Sequence, residues 1–217
     1  MLSMKNVSYG YRNKNKVDIL VLNNVSIDFK AGLFYSVYGA SGSGKTTCLS
    51  LLGGLESPLK GTISLDGKDI KEIGYNNLRK NHVSYVFQDF HLFNYMSAIE
   101  NVMLAIDITG KIKNNKLAKE KAVELLTSLG LDSQEMNRRV TKLSGGQQQR
   151  VAIARALSTD AKYILADEPT GNLDKDNTQN IIDIFKKLVK EQGKCVIAVT
   201  HSERLKEQCD ICYSLED

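Results

Sequence analysis

The residues best suited to chemistry stand at Gly39-Ala40-Ser41-Gly42-Ser43-Gly44-Lys45-Thr46, spaced as GxxxxGK(S/T). An apolar run, Leu33–Tyr38, leads into them and Thr47–Leu52 follows, an order of strand, glycine-rich turn and helix. Glycines let successive backbone N–H groups turn toward one anion. The helix adds the positive end of its dipole, about half an elementary charge. In such a loop Lys45 reaches the β- and γ-phosphates and the Thr46 hydroxyl ligates Mg²⁺, with Thr47 completing the binding residues. The stretch is a phosphate cradle.

Three more polar positions end apolar, strand-like runs. Gln88 closes His82–Phe87, Asp167-Glu168 closes Tyr163–Ala166, and His201 closes Cys195–Thr200. In open parallel sheets ligands bind at the carboxyl ends of strands, so these positions and the glycine loop should converge. Adjacent carboxylates at the end of a buried strand are costly unless a cation and a reacting water use them. Asp167 is therefore assigned to Mg²⁺ and Glu168 to the attacking water as general base, a role worth about 10²–10⁴ in rate. His201 is placed to hydrogen-bond the γ-phosphate, and Gln88 to bridge metal and water.

A second anion site is written at Leu143-Ser144-Gly145-Gly146-Gln147, where serine caps a helix running from Gln147. Two phosphate-binding helix ends accompany one lysine-bearing loop. A head-to-tail pair of chains reconciles them, each Ser144 loop closing on the nucleotide held by the other chain.

The elements that must position these groups follow from periodicity. Residues 4–11 alternate weakly, a polar turn spans Arg12 to Lys16, and Val25, Ile27 and Phe29 share one face of a strand. Beyond the glycine loop, Cys48, Leu51, Leu52 and Leu55 form one helical stripe that stops at Gly53-Gly54 and Pro58. Ile63 and Leu65 alternate into Asp66-Gly67, a hairpin turn. From about residue 95 to 160 the pattern is helical, with Ala118, Ala122, Leu125, Leu126 and Leu129 on one face and Gly130 as the stop. A helix carrying Ile181, Phe185 and Leu188 ends at Gly193. Continuous apolar strands alternating with amphipathic helices predict an α/β parallel sheet covered on both faces, the helical block being inserted between its strands.

Bulk properties narrow the class. A net charge of +4 is too small to argue for nucleic acid. The densest basic stretch, Lys111, Lys113, Lys116, Lys119 and Lys121, reads as a solvated helix and loop face. No apolar run approaches the roughly 18 residues that suggest a bilayer span, and Met1–Lys5 does not read as a signal peptide. The expected location is the cytoplasm, so the four cysteines are expected as thiols. Cys209-Asp210-Ile211-Cys212 has CxxC spacing without a second ligand pair and is read as buried small hydrophobes.

In order and over essentially its whole length, the chain resembles the ATP-binding subunits of ABC transporters. Gly39–Thr46 matches the family's Walker A loop, Gln88 its Q-loop, and Leu143-Ser144-Gly145-Gly146-Gln147 its signature. Tyr163–Asp167 matches Walker B, followed by the catalytic Glu168, the D-loop Asn172-Leu173-Asp174 and the H-loop His201. Tyr11 falls where the family stacks an aromatic ring on adenine, with Tyr9 as the nearby competitor. The resemblance implies a P-loop NTPase (RecA-like) parallel-sheet core with an N-terminal antiparallel β subdomain and an inserted α-helical subdomain. In one ATP-binding domain, residues 1–94 and 161–217 would form the core and about 95–160 the helical part. It also implies ATP and Mg²⁺ as ligands, a second cassette (a homodimer), and an integral membrane permease holding the chain at the inner face of the membrane.

Phe87–Leu92, Glu100-Asn101-Val102 and Leu143–Leu157 resemble the macrolide-export and lipoprotein-release branch in particular. Members of that branch extrude peptides, antibiotics or lipoproteins, or transmit force to envelope partners. A groove near Gln88, around Phe90 to Tyr95, is the expected grip on the membrane subunit, the alternative being that these phenylalanines are core. Cys48 replaces the family's usual aliphatic residue and Ser202 its common aspartate. The end at Tyr213–Asp217 falls short of the family's final glycine turn and strand, which is taken to leave no regulatory C-terminal domain.

Three rival readings fit less of the chain. A soluble ABC-type ATPase of DNA repair or translation would need a coiled-coil insertion or a second cassette between Lys45 and Ser144. A P-loop kinase or GTPase leaves the Ser144 loop unused. A non-hydrolysing adaptor cassette leaves Glu168 and His201 unexplained.

Overall fold

The computed structural model describes residues 1–13 and 16–215. Two sheets organise it. Strands β1 (Leu2–Asn13), β2 (Lys16–Phe29), β4 (Lys60–Leu65) and β5 (Lys68–Asp69) pair antiparallel in the order β2-β1-β4-β5. Strands β3 (Phe34–Tyr38), β6 (Val83–Val86), β7 (Tyr163–Asp167), β8 (Cys195–Val199) and β9 (Ile211–Ser214) form a parallel sheet in the order β6-β7-β8-β3-β9. The helices are α1 (Lys45–Leu52), α2 (Ile70–Ile73), α3 (Tyr75–Asn81), α4 (Ala98–Thr109), α5 (Asn115–Ser128), α6 (Ser133–Asn137), α7 (Gly145–Leu157), α8 (Lys175–Gln192) and α9 (Glu203–Lys206).

Because side chains alternate across a strand, the parallel sheet sends one set of residues into each of two cores. Phe34, Ile164, Ala166, Val196 and Ala198 pack with α8 and the helical block. Tyr35, Val37, Tyr163, Leu165, Ile197 and Val199 pack instead with α1 and the antiparallel sheet. Helices α4 to α7 lie in the chain between β6 and its sheet neighbour β7, as the helical periodicity from about residue 95 predicts. Local chemistry sets their ends. Ser97 with Glu100, Asp132 with Glu135 and Ser144 with Gln147 each form a reciprocal capping box. Asn101, fully buried, accepts from Phe93 N–H at 2.8 Å and donates to the carbonyl of Ser97 at 2.9 Å, tying the preceding loop to α4.

Several expectations needed correction. Helix α1 ends at Leu52 and Gly53 caps it, so Leu55 leaves the stripe and is exposed. Helices α2 and α3 carry no long apolar period and were not expected from the pattern. Strand β9 was also unforeseen: Ile211–Ser214 is half-polar and pairs only at the sheet edge, beside β3. Cys48 and Cys195 are buried as expected, but Cys209 is half-buried and Cys212 exposed. Arg12, Asn13 and Lys16 lie in strands, while residues 14 and 15 of the expected turn fall outside the described residues, as do 216 and 217. No helix among the described residues is long and apolar enough to cross a membrane.

Candidate functional site

The strand order β6-β7-β8-β3 sets four carboxyl ends side by side, and each carries one of the polar groups singled out above. They border a cavity of about 800 Å³, lined among others by Ser41, Gly42, Gly44, Lys45, Thr46, Thr47, Gln88, Glu168 and His201. Gly39 and Ala40 border a smaller adjoining cavity with Thr200 and His201.

The loop's geometry follows from its glycines. Gly44, the N-cap of α1, sits at φ +91°, and a β-carbon there would come within 2.8 Å of Leu22 Cδ2 and Val21 Cγ1. Gly44 has no side chain to cap α1, so the first N–H groups of α1 have no side-chain acceptor, whereas Ser97, Asn114, Asp132, Ser144 and Asp174 cap α4 to α8. An uncapped helix start beside a lysine fits an anionic ligand. Lys45 is almost fully buried and its Nζ donates to the carbonyls of Gly39 and Ala40, each at 2.9 Å. The buried hydroxyls of Ser43 and Thr170 have no hydrogen-bond partner within the chain.

Next to the loop, Thr46 Oγ1 donates to Asp167 Oδ1 at 3.1 Å. Burial pushes the Asp167 carboxyl above the usual range; the Thr46 hydroxyl pulls it back, the neighbouring Glu168 charge raises it again, and Lys45 lowers it. A hydroxyl and a carboxylate side by side form a hard oxygen pair of the kind Mg²⁺ takes.

Glu168 has φ +42°, a left-handed conformation that a non-glycine residue adopts only under constraint. Its Oε2 accepts from the His201 backbone N–H at 3.2 Å. Its Oε1 lies 3.3 Å from His201 Nε2 but is buried without a hydrogen-bond partner. The strained turn thus holds a carboxylate at the cavity wall with one oxygen uncommitted.

The two tyrosines separate. Tyr9 is buried, while Tyr11 is about half exposed, lines the cavity and lies 3.3 Å from Thr47 Oγ1 through its hydroxyl. Ser144 and Gly145 are exposed and do not line this cavity. Helix α7 begins at Gly145, two residues earlier than expected, because the Ser144–Gln147 box draws both glycines into the first turn. Gly146 packs on Asn177, where a β-carbon would meet Oδ1 at 2.4 Å.

Sequence reasoning missed several wall residues. Val21, Thr170 and Thr178 also line the cavity, with no expected role, and the fold brings them there; Leu173 of the D-loop lines it too. Arg155 of α7 was missed as well. Its guanidinium donates to the carbonyl of Phe90 at 2.7 Å and to that of His91, two residues in the left-handed region just after Gln88. Asn172 Nδ2 reaches the Gln88 carbonyl at 3.4 Å.

A glycine–lysine loop between a parallel strand and a helix, with carboxylates at the end of a nearby strand, defines a P-loop nucleotide hydrolase. The family model described as ABC transporter matches residues 22–171. An uncharacterized ABC transporter ATP-binding protein, YclH of Bacillus subtilis, is 44% identical over 97% of this chain and 91% of its own length. The lipoprotein-releasing system ATP-binding protein LolD of Rickettsia bellii is 40% identical over 100% of this chain and 95% of its own. Among solved structures, a dimeric post-hydrolysis state of the ATP-binding cassette MJ0796 bound to ADP and Pi superposes with a TM-score of 0.90. It is 35% identical and aligned over 100% of this chain and 97% of that one. This chain belongs to the ABC transporter family, as one of its ATP-binding, ATP-hydrolysing cassettes.

Proposed function

We propose that two copies of this chain close head to tail around two ATP molecules and hydrolyse them with Mg²⁺. The cycle would drive a separate integral membrane permease that exports a peptide, antibiotic or lipoprotein-like substrate. The observation that carries this reading is the division of anion-binding groups. The uncapped α1, Lys45 and Glu168 belong to one cavity, whereas the exposed Ser144 end of α7 stands outside it.

In this reading Gly39–Thr46 hold the β- and γ-phosphates through backbone N–H groups and the Lys45 ammonium, and Tyr11 stacks on the adenine. Thr46, Asp167 and Gln88 would hold Mg²⁺, which when bound neutralises phosphate charge and draws Asp167 into its ionised form. Glu168 accepts a proton from the attacking water through the oxygen that has no partner within the chain. His201 contacts the γ-phosphate and, through its backbone N–H, keeps Glu168 aimed. Ser144, Gly145, Gly146 and Gln147 of the second chain present α7's N-terminus to the same nucleotide.

Residues 1–94 and 161–217 would act as the ATPase core and about 95–160 as the part that moves with the permease. The exposed Phe93 and Tyr95 after Gln88 supply apolar surface for that partner. The chain would then sit at the cytoplasmic face of the membrane through the permease, without nucleic acid.

The test uses Glu168→Gln to slow turnover. With ATP and Mg²⁺ this variant should elute as a dimer in size exclusion, and adding Ser144→Arg should abolish the dimer while ATP binding to the monomer persists. A Ser144→Arg form that still dimerises with ATP would refute the trans arrangement.

A further inference from the structure

Cys209 and Cys212 lie far from the expectation of buried, inert thiols. Their sulfurs are 3.1 Å apart at the junction of α9 and β9, with Cys212 exposed and Cys209 half-buried. Both thiols donate to one acceptor, the carbonyl of Lys206 at the end of α9, at 3.1 Å from Cys209 and 3.3 Å from Cys212. That shared carbonyl gathers the two sulfurs on the same side of the turn. Among the described residues no group of three or more His, Cys, Asp or Glu side chains is arranged to hold a metal, so a pair without further ligands is what the turn presents. Cys48 and Cys195, by contrast, are completely buried and have no such partner thiol.

We propose that Cys209 and Cys212 are a redox-active dithiol that closes to an intrachain disulfide on reaction with a low-molecular-weight disulfide. The exposed Cys212 thiolate attacks one sulfur of the incoming RS–SR. That S–S bond breaks, one RS⁻ leaves and takes a proton, and Cys212 is left as a mixed disulfide. Cys209 then loses its proton to solvent and attacks the Cys212 sulfur, expelling the second RS⁻. The balance is two protein thiols and one RSSR giving one protein disulfide and two RSH, the chain losing two electrons and the small disulfide gaining them.

The order of the two steps follows from the surroundings. Burial, then the hydrogen bond and charge of Cys212, push the Cys209 thiol up to about 12, so it is the poorer first nucleophile. Capping Cys212 removes its charge and so eases the ionisation of Cys209 at the moment it must resolve the mixed disulfide. Lys206, whose carbonyl the thiols share, lines the smaller cavity together with Gly39 and Ala40. Lys206 Nζ sits 4.0 Å above the Tyr38 ring, the last residue before Gly39, and α9 is capped by Ser202 beside His201.

The purified chain, fully reduced, is incubated with oxidised glutathione, quenched by acid, denatured and titrated for thiols, with peptide mapping by mass spectrometry. The titre should fall from four thiols to two, the Cys209–Cys212 bond should appear without bound glutathione, and dithiothreitol should restore all four. In Cys209→Ser, glutathione should instead remain attached to Cys212. Stable glutathione on Cys212 of the unsubstituted chain would overturn the proposal. So would four thiols surviving the treatment, or a disulfide engaging Cys48 or Cys195. None of these readouts depends on ATP turnover, so they stand or fall apart from the reading of the nucleotide site.

Discussion

Replacing Glu168 with Gln removes a proton acceptor and one negative charge while preserving side-chain length and volume. The backbone at φ +42° carries a cost of order 1–3 kcal/mol in either residue, so the substitution leaves that strain where it was. A glutamine oxygen can also keep the 3.2 Å bond from the His201 N–H. What disappears is the basicity of the second oxygen, which is buried and has no hydrogen-bond partner. General-base assistance is worth about 10²–10⁴ in rate, or about 2.7–5.4 kcal/mol of barrier. The expected result is therefore a kcat for phosphate release, at saturating ATP and Mg²⁺, at least about 100-fold below the unsubstituted chain. ATP affinity should change by no more than about threefold, because the binding groups on the α1 side are untouched, and this separates chemistry from binding. The melting temperature should hold or rise, since a charge adjacent to Asp167 is gone. A kcat within about tenfold of the original would refute the assignment of Glu168 as base.

Gly44→Ala should destabilise the chain by about 2–4 kcal/mol in denaturant titration, combining a strained positive φ with a 2.8 Å approach to Leu22 and Val21; a loss below about 0.5 kcal/mol would mean the loop relaxes freely. Arg155→Ala withdraws a charged donor from the carbonyls of Phe90 and His91, for a loss of about 1.5–3 kcal/mol. Hydrogen exchange should quicken across residues 88–92, and unchanged exchange there would count against Arg155 as the residue that holds this turn. Asp167→Asn tests the electrostatics of the strand end. The Asp167 pKa is raised in the folded state, so folding binds the proton more tightly and stability falls as pH rises from the unfolded pKa through the folded one. The Asn variant should accordingly melt higher than the original near pH 7, and the gap should close as pH falls below the unfolded carboxylate range. A gap independent of pH would show that desolvation of the charge is not the cause.

Much of the site was legible before any fold was considered, because its signals are local. The Gly-x-x-x-x-Gly-Lys-Thr spacing encodes a turn, a cation and a hydroxyl within eight residues, and the turn forms as that spacing requires, with Gly44 in the left-handed region. The Ser144 cap is equally local and was legible, although its helix begins at Gly145 rather than at Gln147. Less was legible where a choice depended on packing. Leu55 kept the helical period but fell beyond the Gly53 cap, and periodicity has no memory of where a helix stops. Cys209 and Cys212 read as buried small hydrophobes, and the place of Cys212 on the edge strand β9 is what leaves it exposed.

By itself the sequence determined the chemistry available: a phosphate loop, a pair of adjacent carboxylates, a capped glycine helix end, and strands apolar enough to be covered on both faces. Those follow from backbone sterics and side-chain period, which act over a few residues. The tertiary structure decided which of these groups meet. It placed Gln88, Glu168 and His201 around one cavity through the order β6-β7-β8-β3, and chose Tyr11 over Tyr9 as its aromatic wall. It also left Ser144 outside that cavity, joined Arg155 to the turn after Gln88, and set two thiols 3.1 Å apart. Strand order and helix docking arise from burying the two faces of the parallel sheet at once, a condition on the whole chain that no short window of residues contains.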